Sequence, residues 1–439
     1  MAAPTNTYCD YAAGNDYKGA TFTDGAYTSA TKTLTKAGAF AASQVNHWLY
    51  LESNDGGSIV AGYYKIATVS SADAVILATD AGAGVDDDAA KCVQAAGTTA
   101  KPWRSIQGAL DLITRDATNG DQVNIKVGTA QILQAAVSFV VYGAATEGAP
   151  LILRGYTASA NDGGIGEIDC GGFQPFGAGS RTFFYLVDLE IHTMGNNIGV
   201  YTGNQCAIIH CEVHKGASTP SGKALIYNTT YVIGNYVHDS GATGTGIDSA
   251  GYLAFGNYVK DCPTGIKTAG AVINNIVVDS TAAGIASNAD NALVIGNTIY
   301  SSTASTGKGI SIITGNANAT AINNIIEGYS GAGGIGISTV GDVVLLGYNA
   351  FYNNTTPESL GDVYVDLGND ATLASSPFTN AAAGDFSLAT AVVGAIDGAY
   401  PGAWYGPAGT TDHADIGAVQ NGAGTGGAVN ISPFRGNIG

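Results

Sequence analysis

Val232-Ile233-Gly234-Asn235-Tyr236-Val237-His238-Asp239-Ser240, Ala254-Phe255-Gly256-Asn257-Tyr258-Val259-Lys260-Asp261-Cys262 and Val272-Ile273-Asn274-Asn275-Ile276-Val277-Val278-Asp279-Ser280 are one pattern written three times. Its asparagine returns as Asn235, Asn257, Asn275, Asn297, Asn324 and Asn349, at spacings of 22, 18, 22, 27 and 25 residues. A period of that size and that variability marks a solenoid of short strands and loops of unequal length. Two residues before the asparagine stand Ile233, Phe255, Ile273, Ile295 and Ile322, with Gly347 the exception. Two after stand Val237, Val259, Val277, Ile299, Ile326 and Phe351. In extended chain those positions share a face, so each asparagine is expected to be buried between hydrophobes. A buried amide needs partners, and identical amides in the coils above and below supply them.

A second marker runs out of phase: Gly246-Ile247, Gly265-Ile266, Gly284-Ile285, Gly309-Ile310 and Gly336-Ile337. Glycine is expected at a tight corner, with the isoleucine opening the next inward-facing strand. Two strands and two corners per coil follow. Earlier coils are degenerate, with Cys211 and Asp188 expected in the asparagine's place.

This arrangement resembles the right-handed parallel β-helix family, the fold of pectate lyases, polygalacturonases and phage tailspikes. The resemblance covers about Leu186 to Phe351 and implies an all-β solenoid. It carries little about function, because the scaffold hosts many activities.

Three parts are expected along the chain. Residues 1–100 lack the repeat and read as a small antiparallel β domain, with a hairpin of Tyr63–Val69 and Ala74–Ala78. Thr33 to Phe40 and the Gly-Tyr-Tyr-Lys-Ile run resemble an N-terminal module of phage-encoded β-helix proteins. Residues 101–420 form the β-helix. Trp103, Ile106, Leu110 and Ile113 have helical spacing behind Pro102, which predicts an amphipathic capping helix over 102–115 that covers the solenoid's open end. Ser375–Phe378, Gly384–Leu388 and Asp415–Val419 resemble the closing segment of β-helix proteins. Residues 421–439 are a Gly- and Asn-rich tail, or an arm that orders on a neighbouring subunit through Ile431 and Phe434.

The chain of 439 residues carries a net charge of −18 with only 17 Lys and Arg, which excludes nucleic acid as a partner. It also disfavours an acidic polysaccharide unless a bound cation inverts the local field. No apolar run is long enough for membrane insertion, and no secretory signal is visible at the start. The six cysteines lack metal-type spacing and read as reduced core fillers, a Cys9–Cys92 bridge being the alternative.

Four residues after the repeat asparagine come Asp239, Asp261 and Asp279, and just before two of them stand His238 and Lys260. Stacked carboxylates would raise one another's pKa or recruit Ca²⁺. Resemblance to pectate lyases implies calcium held by aspartates and a basic residue that removes a sugar proton. Turn chemistry, with each aspartate capping backbone N–H groups, is the plainer reading. Arginine motifs of pectate lyases and the paired aspartates of polygalacturonases are missing. The histidines form no metal set by spacing. Tyr236 and Tyr258 are expected to point outward, stacked, as a carbohydrate platform.

Two classes of function follow. One is a non-catalytic bacteriophage virion protein (capsid decoration, head fibre or tailspike-like), with glycan binding as an addition. It would be a homotrimer at the virion surface, joined to other virion proteins through its N-terminal domain or C-terminal tail and facing cell-surface polysaccharide. The other is an extracellular polysaccharide lyase or glycoside hydrolase. A bacterial surface adhesin is a third alternative.

Overall fold

The computed structural model describes residues 4–389, apart from 11, 13–15, 18–19, 83–86, 93–101, 129, 134, 138–144, 177–181, 193–198, 216–223, 250–252, 269, 288–290, 314–317, 341–343 and 362–363. The expected segments at 415–419 and 421–439 lie outside these. Two compact units are present: Met1–Asp169 with Phe183–Glu190, and Cys170–Thr182 with Ile191–Gly439.

The first unit holds two architectures. A six-stranded antiparallel barrel is built from Phe22–Thr28, Thr33–Thr35, Trp48–Ser53, Gly62–Ser71, Ala74–Leu77 and Asp87–Cys92. Alternation decides its core: Leu49 and Leu51 point in, as do Tyr27, Leu34, Ile66 and Val75. The expected hairpin is there, Val69 facing Val75. The second architecture is a parallel stack in the order Thr5–Cys9, Asp121–Lys126, Leu151–Tyr156, Phe184–Val187. The expected boundary near residue 100 therefore needs correction. Thr5–Cys9 is the first strand of the stack, and the barrel is inserted after it.

The capping helix is shorter than expected, Ile106–Leu112, with Ser105 Oγ accepting from the Gly108 N–H as its N-cap. Trp103 is extended instead, bridging to Cys9 and donating its indole N–H to Thr7 Oγ1 at 3.1 Å. Ile106, Ala109 and Leu110 are buried, and the helix packs on the strands Thr5–Cys9 and Asp121–Lys126. Asp16 ties helix to barrel. Its carboxylate accepts from the N–H groups of Trp48, Arg104 and Ser105 and from Ser105 Oγ.

The second unit is the β-helix proper, and each full coil has three strands, not two. One ladder runs Thr245–Ser249, Thr264–Thr268, Ala283–Ser287, Lys308–Ile313, Ile335–Val340 and Thr356–Ser359. A second runs Leu253–Phe255, Ala271–Ile273, Leu293–Ile295, Ala319–Ile322, Val344–Gly347 and Tyr364–Asp366. The third runs from Glu212–His214 through Tyr236–His238, Tyr258–Lys260, Ile276–Val278, Thr298–Tyr300 and Ile325–Glu327 to Ala350–Tyr352 and Ala371–Thr372.

The residue just before each ladder position splits what reads as one strand into two. Gly234, Gly256, Asn274, Gly296, Asn323 and Tyr348 all have left-handed backbone, φ 56–65°. That bend breaks the alternation. Val232, Ala254, Val272 and Val294 point inward, while Ile233, Phe255, Ile273 and Ile295 are only half-buried and face out. The expectation that the residue two before the asparagine shares its inner face is thus overturned. The same bend moves Asp188 out of the ladder column. It takes the left-handed position at φ 54°, and Leu189 is the buried residue. His210 (φ 52°) plays that part before Cys211.

The asparagine ladder is complete from Asn235 to Asn349, every member buried. Each Nδ2 donates to the next asparagine's Oδ1 at 2.9–3.1 Å, and each backbone N–H donates to the same oxygen. Nδ2 also reaches back to a carbonyl of the preceding coil, as Asn275 does to Ala254 O at 3.0 Å. At the far end the acceptor is Asp370, which takes the Asn349 N–H at 2.6 Å.

The Gly-Ile glycines serve space rather than a corner. Their φ values are ordinary, but a Cβ on Gly246 would lie 2.7 Å from Val259 Cγ1, and one on Gly284 would lie 2.5 Å from Ile299 Cγ2. Ile247, Ile266, Ile285, Ile310 and Ile337 follow as a fully buried column. All six cysteines are buried, and no disulfide joins any two of them among the described residues. No helix among the described residues is long and apolar enough to cross a membrane.

Two predictions follow from this packing. Asn275→Ala removes the acceptor of two donors on Asn257 and the partner of Ala254 O, so it should cost about 3 kcal/mol or more in denaturant unfolding. Glu358 takes the isoleucine column's place opposite Ile337, and burial, then Asp370 and Asp366, push its pKa up to about 7. An unfolded glutamate titrates near about 4.3, so between these values the native chain keeps a proton that the unfolded chain has lost. Stability from this group is fully present below the lower value and is lost as pH rises through about 7. Glu358→Gln should raise the melting temperature at pH 8 and change it little at pH 4.5.

Candidate functional site

The third ladder presents two outward columns. One reads Glu212, Tyr236, Tyr258, Ile276, Thr298, Ile325, Ala350; the other reads His214, His238, Lys260, Val278, Tyr300, Glu327, Tyr352. Chemical character changes along them. From Ile276 onward the face is mostly apolar and lies under the hairpin Phe378–Asn380/Asp385–Leu388, whose Phe378, Phe386 and Leu388 pack on Val278, Ile325 and Ala350. Glu327 is the buried carboxyl among them, accepting from Ser376 Oγ at 2.8 Å. Upstream of the hairpin the ionisable residues gather.

At the centre of that gathering is His238. Its Nε2 lies 3.0 Å from Glu212 Oε1 and its Nδ1 lies 2.8 Å from Asp239 Oδ2. Burial works against a charge on His238, but the hydrogen bonds to Glu212 and Asp239 outweigh it and hold its pKa above the ordinary imidazole value. In-register pairing stacks the rings: His214 on His238 with centroids 4.7 Å apart and planes 11° apart, His192 on His214 at 5.4 Å and 14°. Ligand atoms of Glu212, His214 and His238 all lie within 4.8 Å of one another. Spacing in the sequence showed no metal set among the histidines; cross-strand register makes one with a glutamate. The usable signal was alternation in Glu212-Val213-His214, which puts both polar side chains outside.

Asp239, Asp261 and Asp279 do fall in neighbouring coils, each at a left-handed corner with φ 51–57°. Each turns to its own partner: Asp239 to His238, Asp261 to Lys260 Nζ at 3.7 Å, and Asp279 to the Ser302 N–H at 2.6 Å. Burial raises the pKa of Asp261; Lys260 opposes this, and Asp279 and Asp239 add to the rise.

Tyr236 and Tyr258 are neighbours but not a stack. They meet edge to face, centroids 5.5 Å apart at 60°. Tyr236 lays its ring on His238 at 4.2 Å, and Tyr258 packs toward Phe386. Burial pushes both phenols up to about 12. An open carbohydrate platform would need a free ring face, and these tyrosines spend faces on protein neighbours.

No protein-family model matches the chain, and a search among curated proteins finds no match. Among solved structures the chain is similar to pectate lyase Pel9A, at 13% identity and a TM-score of 0.45, over 74% of this chain and 92% of that one. It is also similar to a GH136 lacto-N-biosidase from Eubacterium ramulus, at 12% identity and a TM-score of 0.29, over 63% of this chain. The match spans 65% of that enzyme's chain. Neither likeness assigns a role to any residue here. The parallel β-helix rests on the chain's own three ladders.

Proposed function

We propose that this chain is a non-catalytic structural protein of a bacteriophage particle's surface, whose β-helices associate side by side as a homotrimer. One observation carries the reading: the outward face of the second ladder is apolar in coil after coil. Ile233, Phe255, Ile273, Ile295 and Ile322 form one column, and Tyr231, Leu253, Ala271, Leu293, Thr320, Leu345 and Val365 form the next. Tyr231, Leu293 and Val365 are 42%, 40% and 50% exposed. Scattered surface hydrophobes need no explanation, but an uncharged stripe several coils long does.

A second copy suits this stripe. Chains with a net charge of −18 repel one another, so contact is confined to a face that carries no charge. Copies attached to a particle by the same end run parallel, which calls for cyclic rather than two-fold antiparallel symmetry. Two further observations support the reading. The N-terminal barrel bears the segments that resemble a phage module. Ionisable groups along the third ladder are engaged with protein partners, His238 through both ring nitrogens, Asp279 with the Ser302 N–H and Glu327 with Ser376 Oγ. Cell-surface polysaccharide and other virion proteins, met through the N-terminal domain or C-terminal tail, are the partners this role implies.

Sedimentation equilibrium at micromolar concentration should give a trimer, and Ile273→Asp should give monomers with an unchanged circular dichroism spectrum. A monomeric parent chain would sink the assembly. A depolymerisation assay on neutral and acidic polysaccharides, with calcium and with chelator, should yield no unsaturated or reducing-end products. Products that disappear in Asp261→Ala would replace the structural role with the lyase or hydrolase reading.

A further inference from the structure

We propose that Glu212, His214 and His238 form a binding site for a divalent transition metal of the zinc class. Two imidazoles and one carboxylate are a ligand set that borderline metals such as Zn²⁺, Co²⁺ and Ni²⁺ accept, with a fourth position left to water. Calcium does not fit, because it takes oxygen ligands almost exclusively.

Rigid elements place all three groups. Glu212 and His214 alternate outward on the strand Glu212–His214, and His238 sits directly across from His214 in the parallel register. The ligand atoms, all within 4.8 Å of one another, need to close by about 1 Å to share an ion at bond lengths of about 2.0–2.2 Å. That closure requires rotation of the Glu212 side chain and a tilt of the two rings out of their 11° parallel stack.

A second shell is already in place. An ionised carboxylate only accepts, so in the metal-free chain both ring nitrogens of His238 donate, Nδ1 to Asp239 and Nε2 to Glu212. A metal would take the place of the Nε2 proton while Nδ1 keeps its hydrogen on Asp239. A carboxylate on the distal ring nitrogen is the arrangement that orients metal-bound histidines and raises their basicity. Tyr236, stacked on His238 at 4.2 Å, restrains the ring from the other side. Asp239 is therefore a positioning residue, which gives a left-handed corner aspartate a purpose beyond the turn.

The test is calorimetric titration of the untagged full chain, stripped by chelator, with Zn²⁺, alongside Co²⁺ titration read by visible absorption. One equivalent per chain is expected, with cobalt bands of tetrahedral intensity. His214→Ala and Glu212→Gln should each weaken zinc at least about tenfold, and Asp239→Asn should weaken it about 10- to 100-fold. Asp261→Asn, one coil on and not a ligand, should leave the affinity unchanged. Absence of saturable zinc binding by the parent chain overturns the site without recourse to any variant. Zinc affinity unchanged in a His214→Ala chain with the parent's circular dichroism spectrum overturns it equally.

Discussion

The asparagine ladder sets the terms for everything built around it. A side-chain amide has two donor hydrogens and an acceptor oxygen. In this stack one donor goes forward to the next oxygen and the other back to a carbonyl. The bonding is directional, so its last member needs an acceptor with no donor duty. Asp370, a carboxylate, fits that end in a way that a further asparagine would not. With this corner and the three ladders held in register, the loops between the strands take up the differences in coil length. That is how spacings from 18 to 27 residues coexist with unbroken register.

The clamp has a geometric cost that shapes two other faces. For the amide to point into the coil axis, the residue before it bends left-handed, and glycine or asparagine occupies five of six such positions from Gly234 to Tyr348. The bend reverses which residues face inward. It takes the preceding isoleucine out of the core and produces the apolar outer stripe. Inside, the third ladder's valines and isoleucines reach across to the first ladder, and the glycines of the Gly-Ile pairs leave them room. Ladder, stripe and glycine column are one packing solution.

What could be read from sequence was what repeats. Asparagines and Gly-Ile pairs were legible because each coil restates them, and the ladder is where the repeat placed it. The third strand was missed although glycine or asparagine stands before the ladder residue in five of six coils, a mark of left-handed backbone; only Tyr348 carries none, and extended chain was assumed throughout. Thr5–Cys9 was illegible for another reason. Its partner, Asp121–Lys126, is more than a hundred residues away, and no repeat links them. Of the site, the columns of His238, Lys260 and the aspartates were legible by alignment. The pairing of Glu212 with His238 was not, because Glu212 shares a column with tyrosines and meets His238 on a diagonal.

An in-register stack also creates an electrostatic problem, and its solution organises the third ladder. Like residues in successive coils sit about 5 Å apart, so an acidic column accumulates repulsion that water only partly screens. This chain answers by giving each carboxylate a different local partner: an imidazole for Asp239, an ammonium for Asp261, a backbone N–H for Asp279. Glu212 follows the same rule diagonally. Where the partner is a backbone N–H the matter ends there. Where it is an imidazole, with two more ligating groups in reach, the device that relieves repulsion in the coil is also the beginning of a metal site.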